Sequence, residues 1–365
     1  MDIELLEKLI SIPSPSRDEK AVADMLEAYL WQLAGAGAES HCQQLIPHRV
    51  GNNLWCESCG NCGKPTIMLN AHIDTVKPAN GWKSDPFSPT RAIVNSEPDG
   101  MVERIYGLGA NDDGGSVVAM IEAYRILAAK EQPYRLVLTL SAEEEVSGRG
   151  GIEMLFPEIG NIDLAIVGEP TGMQMAVAEK GLMVLDCCAM GKSGHAARNE
   201  GVNAIYNALP AIEWFKSTTV DRVSPFLGPV KMSVTQIQAG TQHNVVPDAC
   251  TFVVDVRSNE LYTNEELLEV IEKSVSSISI KARSTRLGSS RIDIEHPVVK
   301  RGMALGLKSF GSPTLSNQAL LHCPSLKIGP GDSARSHTAN EYIEIREIEQ
   351  AVEVYVKLLD GLKLM

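Results

Sequence analysis

Three short apolar runs, the first two separated by one amphipathic helix, constrain this chain more than any other feature. Thr66–Ala71, Leu136–Leu140 and Leu164–Val167 are each too short for a helix and are apolar almost throughout. Runs of this kind read as strands buried on both faces. Between the first two, Val117, Ile121, Tyr124 and Leu127 form one apolar stripe on a helix predicted over Ser116–Lys130. Strands alternating with helices make an α/β sheet of mostly parallel strands, which binds ligands beyond the carboxyl ends of its strands.

The residues at those ends carry chemistry. His72-Ile73-Asp74 follows the first run, Glu143-Glu144-Glu145 the second and Gly168-Glu169-Pro170 the third. Asp112 and Asp113 sit in a glycine-rich loop ahead of the helix, and His337 lies near the C-terminus. Imidazole nitrogen and carboxylate oxygen suit zinc, whose catalytic sites leave one position open for water. Two such ions, about 3.5–4 Å apart, can share a bridging carboxylate. At this level a solvated acidic cluster is the alternative.

Elsewhere the pattern is structural. Ser16-Arg17-Asp18-Glu19 reads as a capping box opening a helix that Gly35 ends, and Thr263-Asn264-Glu265-Glu266 as a second one. Strands are predicted over Gly181–Ala189, Lys231–Gln238, Ala249–Arg257 and Ile278–Arg286, with helices over Asn203–Lys216 and from Thr263 to Ser276. That β-α-β-β-α-β order is the split βαβ unit, a small domain inserted in the larger one. The expected boundaries are residues 1–179 and 290–365 for the outer domain and 180–289 for the insert. Leu326–Ile328 and a helix over Arg346–Leu362 return the chain to the outer domain. Cys56, Cys59 and Cys62 have metal-like spacing. Only Cys42 lies upstream as a fourth ligand, and the segment reads instead as the turn of a hairpin between Asn53–Trp55 and Thr66–Asn70.

Composition narrows the partners. A formal net charge of -13 argues against nucleic acid, which needs a basic surface. No apolar run reaches membrane-spanning length, and the acidic amphipathic N-terminus lacks a leader pattern, so a cytoplasmic protein is expected. Eight cysteines in 365 residues are too dilute for a disulfide scaffold.

Taken together, Ala71-His72-Ile-Asp74-Thr-Val, Gly107-Leu-Gly-Ala-Asn-Asp112, Glu143-Glu144-Glu145, Gly168-Glu169-Pro-Thr and His337-Thr-Ala-Asn-Glu341-Tyr342 resemble the M20 metallopeptidases. The resemblance runs from Met1 to the C-terminal helix. It implies a zinc-exopeptidase-like catalytic domain with an inserted ferredoxin-like lid and dimerisation domain. It implies two divalent ions, zinc first, with cobalt and manganese as alternatives. His72, Asp112 and Glu169 would hold one ion and Asp112, Glu145 and His337 the other, Asp112 bridging. Asp74 would orient His72, and Glu144 would be the general base. His195, within Gly191-Lys-Ser-Gly194-His195-Ala196, resembles a lid histidine that reaches a partner subunit of a homodimer. Asn244, Arg257 and Lys180 are expected near a substrate carboxylate, with an ordinary strand-end ion pair as the alternative for Arg257. Leu108 and Asp113 depart from the family pattern.

The implied activity is removal of an Nα-acyl group from a small amino acid. The stretch Cys323-Pro-Ser-Leu-Lys-Ile-Gly329-Pro-Gly331, then His337 and Glu341-Tyr342, looks more like acetylornithine deacetylases than desuccinylases, which points to arginine biosynthesis. Gly329 and Gly331 would allow close backbone approach to a ligand. Succinyl-diaminopimelate desuccinylase, a dipeptidase or aminopeptidase, and an inactive metal-binding scaffold are the alternatives.

Overall fold

The computed structural model describes residues 1–35, 45–59, 63–96, 100–198 and 200–364. The chain divides into two compact units. The first comprises Met1–Val177, Ile292–Phe310 and Ser316–Met365, the second Ala178–Arg291 and Gly311–Leu315.

A mixed sheet forms the centre of the first unit. Its strands run in the order His48–Val50, Asn53–Glu57, Arg135–Ser141, Thr66–His72, Leu164–Val167, Ser325–Lys327 and Met175–Glu179. The four strands from Arg135–Ser141 to Ser325–Lys327 are parallel, and the flanking pairings are antiparallel. All seven residues of Thr66–His72 are buried, as cover on both faces requires. The Gly115–Ala128 helix packs on this strand and on the Ile345–Leu359 helix. Two buried tyrosines find carbonyl acceptors: Tyr134 Oη donates to Leu359 O at 2.8 Å and Tyr355 Oη to Ile328 O at 2.7 Å. The polar side chains inside the sheet are paired too. Asn70 donates to Thr139 and Ser141, and Asn317 donates to Asn70 and Ser141. Burying these groups is tolerable because each is matched.

Two expectations fail here for the same reason, that distant partners displace local ones. The predicted hairpin does not form, because Arg135–Ser141 lies between Asn53–Glu57 and Thr66–His72 and pairs with both. The Ser16 capping box does not form either. The helix runs over Lys20–Gly35, while Ser16 Oγ donates to Asp74 Oδ2 at 2.7 Å and Glu19 accepts from the Arg17 and Glu143 amides. The buried Cys56 thiol donates to Leu45 O at 3.6 Å, and burial pushes its pKa up to about 12, so it is a packing group rather than a thiolate. Cys42, Cys62 and His41 lie outside the described residues.

The second unit has a four-stranded antiparallel sheet in the order Lys231–Ala239, Ala249–Arg257, Met183–Met190 and Ser279–Ala282. Among the described residues its two α-helices are Ala204–Ser217 and Asn264–Ser274. Along Met183–Met190 the buried positions alternate with more exposed ones, as in a sheet covered on one face. Both helices are capped, the second as the sequence predicts. Asn203 accepts from Ile205 N, and Thr263 and Glu266 form a reciprocal capping box. Among the described residues no helix is long and apolar enough to cross a membrane.

Candidate active site

The parallel strands of the first unit deliver their chemistry at their carboxyl ends. His72 is the last residue of its strand, with a side chain almost wholly buried. Its Nε2 lies 3.0 Å from Asp112 Oδ1. Its Nδ1 lies 2.8 Å from the Asp74 backbone oxygen and 3.5 Å from the Asp74 carboxylate. The ring is therefore oriented first by the carbonyl of Asp74. The carboxylate of Asp74 faces the ring and also holds the next turn. Its Oδ1 accepts from Glu144 N at 3.0 Å, and its Oδ2 from Glu145 N at 3.1 Å and from Ser16 Oγ. It anchors the acidic turn that follows the Arg135–Ser141 strand.

That turn starts at Glu143, whose φ of 54° is left-handed. Glu145 leaves it toward His337, with both carboxylate oxygens 3.0 Å from His337 Nε2. His337 Nε2 is also 3.7 Å from Asp112 Oδ2. Asp112 itself is held from behind, since Glu341 Oε1 accepts from Asn111 N at 2.8 Å and from Asp112 N at 3.0 Å. Asp113 is buried beside it. Its Oδ2 accepts from His72 N at 3.2 Å, and its Oδ1 has no hydrogen-bond partner among the described residues.

The electrostatics record a crowd of carboxylates. Burial, with neighbouring carboxylates adding to it, pushes the Glu144 pKa up to about 8 and Asp113 up to about 7. Burial likewise raises Glu341 to about 8 and lifts Glu169 well above the ordinary range. For His72, burial disfavours the cation, but hydrogen bonds to Asp112 and Asp74 and the charges of Glu144 and Asp113 outweigh it and raise the pKa. The hydrogen bond to Glu145 raises His337 to about 9. Burial works against ionised Asp112, yet the hydrogen bonds to His72 and Ser336 hold it below the ordinary carboxylate value.

Such a set suits divalent cations. One ligand atom each from His72, Asp112 and Glu145 lie within 4.8 Å of one another, and the same holds for His72, Glu144 and Glu169. Nitrogen and carboxylate donors converge with more negative than positive charge, which a divalent ion neutralises. These groupings differ from the expected ligand sets: His72 rather than Asp112 is common to both, Glu144 joins one of them, and His337 is in neither.

The remaining candidates belong to the second unit. Lys180 Nζ donates to Pro229 O at 2.7 Å, and burial lowers its pKa. Arg257 forms a two-pronged ion pair with Asp255 at 2.9 and 3.1 Å, the ordinary strand-end pair that was its alternative reading. His195 Nδ1 accepts from Ala197 N at 3.2 Å, and the Asn244 carbonyl from Ala196 N at 3.1 Å. Outside the site, His48 stacks on Trp55 at 4.3 Å and His296 caps the Pro297–Ala304 helix.

Ser16, Glu19 and Asn111 join the site without having been singled out for it in the sequence, and Glu341 had been given no role. Glu341 could have been found, since it is the carboxylate of the same short motif as His337, four residues on. Ser16 and Asn111 gave no local signal. At Gly331, expected as a ligand-facing glycine, a Cβ would collide with Asn111 Oδ1.

Comparison with known proteins agrees with this geometry. Succinyl-diaminopimelate desuccinylase of Verminephrobacter eiseniae is 27% identical, over 99% of this chain and 96% of that protein. Acetylornithine deacetylase of Proteus mirabilis is also 27% identical, over 98% of this chain and 96% of that protein. The fold matches the Bacillus subtilis YXEP protein, a dinuclear metal-binding M20 peptidase, with a TM-score of 0.71 at 16% identity, over 99% of this chain and 98% of that one. The profile of peptidase family M20/M25/M40 matches residues 68–361, and the chain belongs to that family of metal-dependent hydrolases.

Proposed function

We propose that this protein hydrolyses the amide bond of an Nα-acyl amino acid, with acetyl or succinyl as the acyl group. One observation carries the reading. His72, Asp112, Glu144, Glu145, Glu169 and His337 converge at one sheet edge, and among them Glu144 is the carboxylate not expected to be a ligand. A carboxylate beside an acidified water can take its proton and return it.

In this reading His72, Asp112 and Glu169 hold one divalent ion and Asp112, Glu145 and His337 the other, zinc first, with cobalt or manganese as alternatives. The ions would acidify a water molecule and polarise the acyl carbonyl. Glu144 accepts a proton from the attacking water, whose oxygen bonds to the carbonyl carbon. The C–N bond then breaks, and Glu144 passes the proton to the departing amine nitrogen. The products are a carboxylate and a free amino acid. Asp74 keeps Glu144 in place by accepting from its backbone amide.

Residues of the second unit complete the proposal. His195, from the partner subunit of a homodimer, donates to the developing oxyanion. Arg257, with Asn244 and Lys180, receives the substrate α-carboxylate. Arg257 suits that role because its fork can meet a carboxylate as it meets Asp255. A scaffold role would have no use for Glu144 as a proton carrier.

The two named relatives support acetyl and succinyl chemistry equally. The Gly329-Pro330-Gly331 stretch inclines the choice toward Nα-acetylornithine or acetylcitrulline, and succinyl-diaminopimelate is the second reading. Steady-state kinetics on the acetyl and succinyl forms of ornithine and citrulline, on succinyl-diaminopimelate and on dipeptides would decide. A dipeptide preferred by more than about tenfold in kcat/KM would refute deacylation, and succinyl-diaminopimelate preferred to that extent would select the desuccinylase.

A further inference from the structure

We propose that Asn111 is a positioning residue that locks the loop carrying His337 to Asp112. The inference rests on the reading of Asp112 and His337 as metal ligands, and deepens it. Asn111 is completely buried. Its side-chain amide treats the loop as a strand would: Oδ1 accepts from Asp332 N at 3.0 Å, and Nδ2 donates to Asp332 O at 3.1 Å. Nδ2 also donates to Ser336 Oγ at 3.2 Å, on the residue that precedes His337. The backbone amide of Asn111 donates to Glu341. Residues on both sides of His337 are thus tied to the residue next to Asp112.

The loop is built to accept this contact. Gly331 has a φ of +83°, and any Cβ there would collide with Asn111 Oδ1. His337 needs such a restraint for two reasons. Its φ of 59° is unfavourable for a residue with a side chain and persists only where the surroundings enforce it. Its side chain is also 54% exposed, so packing alone does not hold it. Asn111 supplies the missing constraint by hydrogen bonding.

A purely structural Asn111 would stabilise the fold without distinguishing between two bound ions. A positioning Asn111 affects mainly the ion that depends on His337. The test is stepwise titration of metal-stripped protein with Zn²⁺ against a chromophoric chelator, for wild type, Asn111→Ala and Ser336→Ala. Asn111→Ala should bind one ion as wild type does and the other about 10–100-fold more weakly, the usual cost of losing an outer partner of a ligand. Ser336→Ala removes one acceptor and should weaken the same ion by about two- to tenfold. Circular dichroism shows whether each variant is folded, and if Asn111→Ala is not, Ser336→Ala decides. Two ions bound at wild-type affinity by a folded variant would overturn the inference and leave the proposed function standing. A wild type that binds fewer than two ions would overturn both.

Discussion

Replacing Asp74 by Asn tests whether this residue works as the anchor of the acidic turn. The carboxylate is 1% exposed and accepts from Ser16 Oγ at 2.7 Å, Glu144 N at 3.0 Å and Glu145 N at 3.1 Å. An Asn side chain has one acceptor oxygen. Whichever way the amide is turned, its NH₂ faces a backbone N–H, either that of Glu144 or that of Glu145. Ser16 can rotate its hydroxyl and accept instead, but a backbone amide cannot. At least one buried donor is left unsatisfied, at a cost of about 1–3 kcal/mol. At about 2.1 cal/mol/K per residue, a chain of 365 residues shifts by about 1.3 °C per kcal/mol, so Tm falls by about 1–4 °C. The freed turn carries Glu144, and small misplacement of a reacting group costs about 100-fold. We expect kcat/KM to fall by about 10–100-fold, mainly through kcat, measured on the best Nα-acyl substrate beside a thermal melt. A variant with kcat/KM within about twofold of wild type and an unchanged Tm would refute the anchor role.

Three further outcomes follow from the same geometry. Metal-free protein should lose stability as pH rises from about 4.5 to 9. Glu144 and Glu341 are raised to about 8 and His337 to about 9, so the folded state holds protons that the unfolded chain has released. Melts after chelation should show this fall, saturating Zn²⁺ should suppress it, and a chelated protein that gains stability over that window would contradict it. Mixed and refolded Glu144→Ala and His195→Ala chains should recover activity, because one site of the hybrid dimer combines both intact residues. No recovery despite demonstrated subunit exchange would confine His195 to its own chain or to no role. Arg257→Ala should raise KM with little change in Tm, since a part-exposed pair with Asp255 contributes about 0–1 kcal/mol; an unchanged KM would return Arg257 to its ion pair alone.

The sequence was most legible where chemistry and period coincide. Thr66–His72 and Leu164–Val167 are continuous apolar runs ending in ligand-type residues, and both the strands and their ends could be read directly. The Thr263 capping box was also readable, because all its partners lie within one turn. The Ser16 box has the same pattern, but its serine and glutamate are claimed by Asp74 and by the Glu143 amide, from segments far along the chain. The hairpin failed similarly, since the Gly115–Ala128 crossover inserts a parallel strand where a short turn would place an antiparallel one. Asn111 was illegible because an amide beside an aspartate carries no local signature. Its meaning lies in Asp332 and Ser336, more than 200 residues away.

The most direct measurement is elemental analysis combined with turnover for wild type and Glu144→Gln. Two divalent ions per chain are expected in both proteins, with kcat of the variant lower by about two orders of magnitude or more. Loss of an ion from Glu144→Gln would make Glu144 a ligand. Two ions with undiminished turnover would remove it from the chemistry, and either result would contradict the central claim.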